Sequence, residues 1–199
     1  MMLAVIFGYL AGSVPFAYLL ARRAGIDVRA VGSRNVGAAN VMRSTGTGRA
    51  VAVMALDVAK GAAAVALANI TSGGAALPAA TGAAAVVGHI YPVWLRFHGG
   101  KGVAVAAGVF AVLTPVATAV AAALFLLTVW MTRYISLGSI AATAVLPPIA
   151  WLAGAPLAVV VAAMGSAALI LFRHRTNLRR LREGTERRLG RNRSGPAPA

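Results

Sequence analysis

The chain alternates long apolar runs with short polar segments. Apolar stretches at about 2–20, 50–70, 75–95, 103–113, 115–131, 137–152 and 156–172 read as seven membrane-spanning helices. The longer ones approach the roughly 20 residues that cross a hydrocarbon core of about 30 Å. The fourth is too short to cross alone, since each helical residue rises only about 1.5 Å. Three arrangements suit it: extension into the glycine-rich loop before it, packing among its neighbours, or fusion with the fifth run through Thr114-Pro115.

The charged positions choose between these counts. Six basic residues lie between Arg22 and Arg49, two are Arg96 and Lys101, one is Arg133, and nine lie between Arg173 and Arg193. With seven spans, all of these fall on one side, and Lys60 alone sits within a span. The positive-inside rule then places the N-terminus outside and the C-terminus in the cytoplasm. Merging the fourth and fifth runs would put Arg133 and the basic tail on the opposite side.

Composition agrees with this reading. Hydrophobic residues make up 59% of the chain and charged residues 12%, well under the roughly 25% charge of a soluble domain. The class is all-α and polytopic, with residues 1–190 as one membrane-embedded domain and 191–199 as a disordered tail. The first run has neither a basic region before it nor a small-residue cleavage site after it, so it reads as a retained span. Cysteine is absent, which excludes disulfides and thiolate chemistry. His89, His98 and His174 lack metal-ligand spacing, so no metal and no cofactor is expected. The net charge of +15 follows topology and does not point to nucleic acid. Ala and Gly crowd the spans, as close helix packing requires.

Three polar clusters sit at the basic ends. "VGSRNVGAANVMRSTG", Val31–Gly46, offers hydrogen-bonding Ser33, Asn35 and Asn40. Gly32 and Gly37 there allow exposed backbone amides, and Arg43 can grip a phosphate bidentately. "HGGKG", His98–Gly102, lacks the spacing of a nucleotide-binding P-loop. Gly99, Gly100 and Gly102 still bare amides beside Lys101, at the positive start of the next helix. His174 and Asn177 are three apart and share a helix face. Each cluster also has a bland reading, as a solvated loop, a connector or a helix on lipid head groups. Asp57 and Lys60, three apart within a span, are functional suspects by type and suit a structural pair at least as well. His89 suits a packed residue; Ser136 or Ser139 suits a helix cap, and Ser139 also a substrate contact. Together the loops suit a substrate that joins phosphate to an acyl chain.

The segments "GSVPFAYLL", "GSRNVGAANVMR", "DVAKG", "GHIYPVWLRFHGGKGVAV", "TRYISLGS" and "RHRTNLRRLREGTE" resemble, in order, those of bacterial acyl-phosphate:glycerol-3-phosphate acyltransferases. The resemblance runs from about Leu3 to Glu186. It implies an inner-membrane enzyme of seven spans, with its active site on the cytoplasmic face. It also implies the reaction. The sn-1 hydroxyl of glycerol 3-phosphate attacks the carbonyl of a fatty acyl phosphate, giving lysophosphatidic acid and phosphate, the first acylation of phospholipid synthesis. An enzyme supplying acyl phosphate would be a partner, with membrane lipid around both.

By position, Ser33, Arg43, Lys101, His174 and Asn177 match catalytic residues of that family. Asn35, Gly37, Asn40, Gly99, Gly100, Gly102 and Ser139 match substrate or phosphate contacts, and Glu183 or Glu186 a structural acid. The implied mechanism needs no acyl-enzyme: Lys101 and the loop amides face the leaving phosphate, Arg43 and His174 the glycerol phosphate, and a substrate phosphate oxygen takes the proton. Ser33 as nucleophile is the competing idea, without a Ser-His-Asp set to support it. Ala39, His98 and Val105 depart from the family's Thr, Lys and Thr, and Arg34 from its Gly. A small transporter of an anionic metabolite, a lipid-binding anchor and a divergent inactive paralogue share many of these features. A transporter needs polar groups at mid-membrane or matching broken helices, whereas here the polar groups crowd one face.

Overall fold

The computed structural model describes residues 1–190, which form ten α-helices and no strand. The helices are α1 Met2–Ser13, α2 Phe16–Arg22, α3 Ala38–Thr45, α4 Thr47–Ile70, α5 Ala76–Ile90, α6 Val103–Leu113, α7 Pro115–Thr132, α8 Ile135–Leu152, α9 Leu157–Arg173 and α10 Arg175–Arg182. The tail expected to be disordered, 191–199, lies outside the described residues.

Five segments are long and apolar enough to cross a membrane: Met2–Arg22, Thr47–Ile70, Ala76–Leu95, Pro115–Thr132 and Ile135–Leu152. A sixth arises if α9 and α10, bent by 53° at His174, count as one. Outward-facing Leu126, Trp130, Met131, Trp151, Leu157 and Met164 are all more than half exposed, as lipid-facing side chains are. The chain is a multi-pass membrane protein. Helix α6, at 11 residues, stays shorter than a bilayer, as its apolar run indicated.

Two local features differ from the sequence reading. The first span is broken at Val14-Pro15, because Pro15 has no N–H to continue the ladder. At the break the Val14 carbonyl accepts hydrogen bonds from the Phe16 amide at 3.2 Å and from Lys60 Nζ at 2.7 Å. Within the long polar loop 21–49, residues 38–45 form α3. Val28, Val36 and Val41 pack with Val53 and Leu95 into a small core beneath that loop, so it is fixed rather than merely solvated.

Helices α1 and α5 run almost backbone to backbone, as do α4 and α6. A Cβ on Gly12 would collide with the Ala85 backbone, and one on Gly108 with the Val58 carbonyl. These contacts let the helices approach closely enough for dispersion to hold them where no hydrophobic drive exists. The main core, with Val65, Val86, Ile90, Val105, Val109, Phe110 and Ile170, lies between α4, α5, α6 and α9. It holds α6 and α9 in place, and the polar loops at their ends take their positions from it.

Candidate active site

One cavity of about 1350 Å³ opens between the polar loops and continues among the helices. Its polar end is walled by the 32–43 segment, Lys101, His174, Asn177, Arg180 and residues 184–190. Its apolar arm runs along α6, α7, α8 and α9, past Phe110, Ala121, Phe125, Leu146 and Ile170. Small side chains on facing helices leave this arm open.

Asn40 organises the first wall. It is fully buried; its Nδ2 donates to the Val28 and Val31 carbonyls at 2.9 and 3.2 Å, and its Oδ1 accepts from the Ser33 amide at 3.0 Å. Both amide hydrogens are spent on the loop, so Asn40 holds the loop in shape and offers the cavity it lines only an acceptor. Arg43, in the last turn of α3, reaches the Ser33 hydroxyl at 3.4 Å. Burial first, then the nearby Arg187, lowers the Arg43 pKa. Asn35 and Gly37 line the rim. Gly37 is extended, a conformation open to any residue, and its amide donates to the Asn35 carbonyl. Gly32 does have a left-handed φ, +62°.

The lysine loop also differs from expectation. The Gly99 and Gly100 amides are not bared to a ligand: they donate to the Ile90 and His89 carbonyls, each at 3.1 Å, and so close the end of α5. Glycine is needed there for close approach. A Cβ on Gly100 would meet the His89 ring and the Val36 carbonyl. Amides that do stay unpaired among the described residues come next, at Gly102, Val103 and Ala104, where α6 begins beside the cavity.

Lys101 Nζ donates to Asn177 Oδ1. Asn177 Nδ2 donates to Glu186 Oε1 at 2.6 Å, and Arg180 Nε donates to Glu186 Oε2 at 2.7 Å. This chain fixes the direction of the ammonium. Burial first, then Arg180, Arg43 and Arg173, pushes the Lys101 pKa down to about 8, with Glu186 pulling it upward. Burial would raise the Glu186 carboxyl, but donors including Asn177 and Arg180 more than offset this and hold it low. Glu183, by contrast, is an exposed partner of Arg179 at 3.9 Å. The structural acid is therefore Glu186. His174 caps α9, with Nδ1 2.8 Å from the Ile170 carbonyl. Burial and Lys101 push its pKa down to about 4, so the imidazole is neutral at pH 7. Nδ1 then carries the proton and Nε2 the free lone pair.

Ser139 lines the cavity, but its hydroxyl donates to the Ile135 carbonyl at 2.9 Å. It caps nothing, because α8 starts four residues earlier, and toward a ligand it offers an acceptor. Ser136, one turn nearer the mouth, is buried and faces Glu186, whose carboxyl it helps to hold low.

Asp57, Lys60 and His89 form a second cluster, in which Asp57 and His89 also line the cavity. Lys60 Nζ is 2.8 Å from Asp57 Oδ1 and 3.1 Å from His89 Nδ1. These mid-membrane charges neutralise each other and hold α4, α5 and the Val14 break together, in keeping with the structural one of the two readings open for them.

Of the departures, Val105 is fully buried against Gly61, and His98 is turned to the Arg96 carbonyl at 2.6 Å. Neither lines the cavity; Ala39 and Arg34 do. Arg34 has φ +57°, a conformation that glycine adopts at lower cost. The sequence reading did not single out Arg180, Arg187 or Arg188, and it left the acid open between Glu183 and Glu186. The signal available was scarcity: only four acidic residues occur in the chain, so an acid among arginines marks a fixed contact.

The comparisons with known proteins agree across the length of the chain. A family model described as glycerol-3-phosphate acyltransferase matches residues 2–184. A glycerol-3-phosphate acyltransferase of Rubrobacter xylanophilus is 46% identical over 97% of this chain and 96% of its own. Glycerol-3-phosphate acyltransferase 1 of Deinococcus radiodurans is 43% identical over 95% of this chain and 96% of its own. Crystal structures of PlsY (YgiH), an integral membrane glycerol 3-phosphate acyltransferase, superpose with similar completeness. The glycerol 3-phosphate form has a TM-score of 0.92 at 41% identity, and the lysophosphatidic acid form 0.89 at 40%, each over 95% of both chains. With the match running from the first residues of α1 to the turn after α10, the chain belongs to the glycerol-3-phosphate acyltransferase family.

Proposed function

We propose that this chain transfers a fatty acyl group from acyl phosphate to the sn-1 hydroxyl of glycerol 3-phosphate, yielding lysophosphatidic acid and inorganic phosphate. The observation that carries the reading is the cavity that joins a polar end to an apolar arm. Its cationic end suits phosphates and its apolar arm suits an acyl chain. Solved relatives of this size, crystallised in glycerol 3-phosphate and lysophosphatidic acid forms, support it.

The hydroxyl oxygen attacks the acyl carbon, the carbon–oxygen bond to phosphate breaks, and the phosphate leaves with the hydroxyl proton. Lys101 and the open amides of α6 neutralise charge gathering on the leaving group. Arg43 and Ser33 offer a second phosphate site at the rim. Neutral His174 accepts a hydrogen bond from the attacking hydroxyl through Nε2, and Asn177 aims Lys101. Orienting two anions is the main task, because acyl phosphate is already activated. The one-sided basic residues support seven crossings, with α6 and α9 counted among them, and a site at the cytoplasmic face of the bacterial inner membrane.

The test is lysophosphatidic acid formation by the protein in lipid, from palmitoyl phosphate with and without glycerol 3-phosphate. Product that requires both substrates and collapses in Lys101→Ala supports the reading. A folded wild type that forms none, across several chain lengths, overturns it.

A further inference from the structure

Residues 184–190 form a strap that leaves α10 and crosses the mouth of the cavity. It starts at Gly184, with φ +68°, and is pinned at both ends. Glu186 binds Asn177 and Arg180. Beyond it, Arg188 Nε donates to the Tyr134 hydroxyl at 2.9 Å while its guanidinium lies 5.0 Å over the ring, and the Leu189 amide donates to the Arg133 carbonyl at 2.7 Å. Arg187 lies between these anchors, with no hydrogen bond or ion pair of its own among the described residues. It is turned to the opposite wall: its Nη1 is 3.7 Å from where a Cβ on Gly32 would stand. Its charge bears on Arg43, across the same rim.

Two guanidiniums from opposite ends of the chain thus face the same rim at Gly32 and Ser33, and the acid whose charge also reaches Arg43 is Glu186. Glu186 is already committed. Such a like-charge pair raises the energy of the empty site, and a phosphate lodged between the two would relieve it. The charge of the substrates points the same way. Each phosphomonoester carries about 1.5 to 2 negative charges at pH 7. In the walls that precede the strap, Arg180 is matched by Glu186, which leaves Arg34, Arg43 and Lys101 to face two phosphates.

We propose that Arg187 is a substrate-binding residue that closes, with Arg43, a two-guanidinium clamp on a phosphomonoester dianion at the Ser33 rim. The inference rests on the acyltransferase reading above, and it concerns a residue beyond 184, where the match to the family model ends. Glycerol 3-phosphate and acyl phosphate both carry the group, and kinetics separates them.

The experiment compares steady-state kinetics of full-length wild type, Arg187→Ala, Arg187→Lys and Arg182→Ala in lipid. Arg182 is exposed, does not line the cavity, and removes the same charge. The expected result is a KM about tenfold higher in Arg187→Ala for one substrate. The other KM and kcat stay within about twofold, Arg187→Lys recovers part of the loss, and Arg182→Ala matches wild type. A rise in the glycerol 3-phosphate KM assigns the clamp to that substrate; a rise in the acyl phosphate KM assigns it to the donor. Arg187→Ala kinetics indistinguishable from those of Arg182→Ala, or a fall confined to kcat with a lower unfolding temperature, overturns the clamp while the acyltransferase stands. If wild type is inactive, calorimetric titration with glycerol 3-phosphate decides. Binding weakened by Arg187→Ala keeps the clamp without the reaction, and equal binding or none removes it.

Discussion

Lys101 should set the alkaline limit of catalysis. Burial and three neighbouring arginines hold its pKa at about 8, against an ordinary value of 10.5. The charged form is thus the one the empty site disfavours, and the proton is lost as pH rises through about 8. Roughly nine-tenths of the free enzyme carries the ammonium at pH 7, half at pH 8 and about one-tenth at pH 9. If only the charged form neutralises the leaving phosphate, kcat/KM falls about fivefold between pH 8 and pH 9, and close to tenfold per unit above that. Bound phosphate stabilises the ammonium, so kcat, which reports the substrate complex, should decline at higher pH than kcat/KM. Lys101→Arg carries a charge that does not titrate in this range. It should be slower, because a planar fork cannot sit where Nζ meets Asn177, yet its profile should stay flat to pH 10. The assay is the initial rate of lysophosphatidic acid formation at fixed ionic strength, from pH 6.5 to 10. A wild-type kcat/KM that is level from pH 7 to 9 would refute the reasoning. So would a Lys101→Arg profile that falls along the wild-type limb.

Other perturbations test the scaffold. Gly100→Ala places a methyl against the His89 ring and the Val36 carbonyl; overpacking of about 1–3 kcal/mol should lower the unfolding temperature and, by displacing Lys101, cut kcat at least tenfold. Lys60→Met leaves Asp57 buried without its partner at 2.8 Å and should cost about 3–5 kcal/mol in a denaturation series, whereas Lys60→Met with Asp57→Leu should recover most of it. Glu186→Gln removes the charge that Arg180 pairs with at 2.7 Å; kcat should drop about ten- to hundredfold while the helical circular dichroism is kept. Ala107→Phe projects a ring into the apolar arm. It should lower kcat/KM for palmitoyl phosphate relative to lauroyl phosphate by about tenfold or more, and an unchanged ratio would show that the acyl chain lies elsewhere.

The spans were legible because burial in lipid leaves long apolar runs that need no partner to be recognised. The break at Val14-Pro15 was legible only as a proline. Its meaning depends on Lys60, 46 residues away, whose ammonium binds the Val14 carbonyl at the break. Helix α3 was hidden because Asn, Ser and Gly favour turns locally, and only the small core beneath the loop makes the helix worthwhile. The site residues drew attention by type and position, but type does not tell who spends a donor. Gly99 and Gly100 read as open amides, and the partners that occupy them are carbonyls at the end of α5. Asn40 read as a ligand group, and its hydrogens belong to Val28 and Val31. The apolar arm could not be read at all: alanines that fill a contact and alanines that leave a void look identical in one dimension.

The polar end of the cavity draws its walls from opposite ends of the polypeptide, with residues 32–43 on one side and 174–190 on the other. Synthesis separates them in time. While the early loop waits at the membrane surface, every intervening helix must be threaded into the bilayer before Asn177 can reach Lys101. A nascent chain stalled after α8 would hold its basic loops and most of its apolar core, yet lack the partner of its lysine. Competence therefore arrives abruptly, with the last helix, and a ribosome-bound or C-terminally clipped product should be inserted but silent.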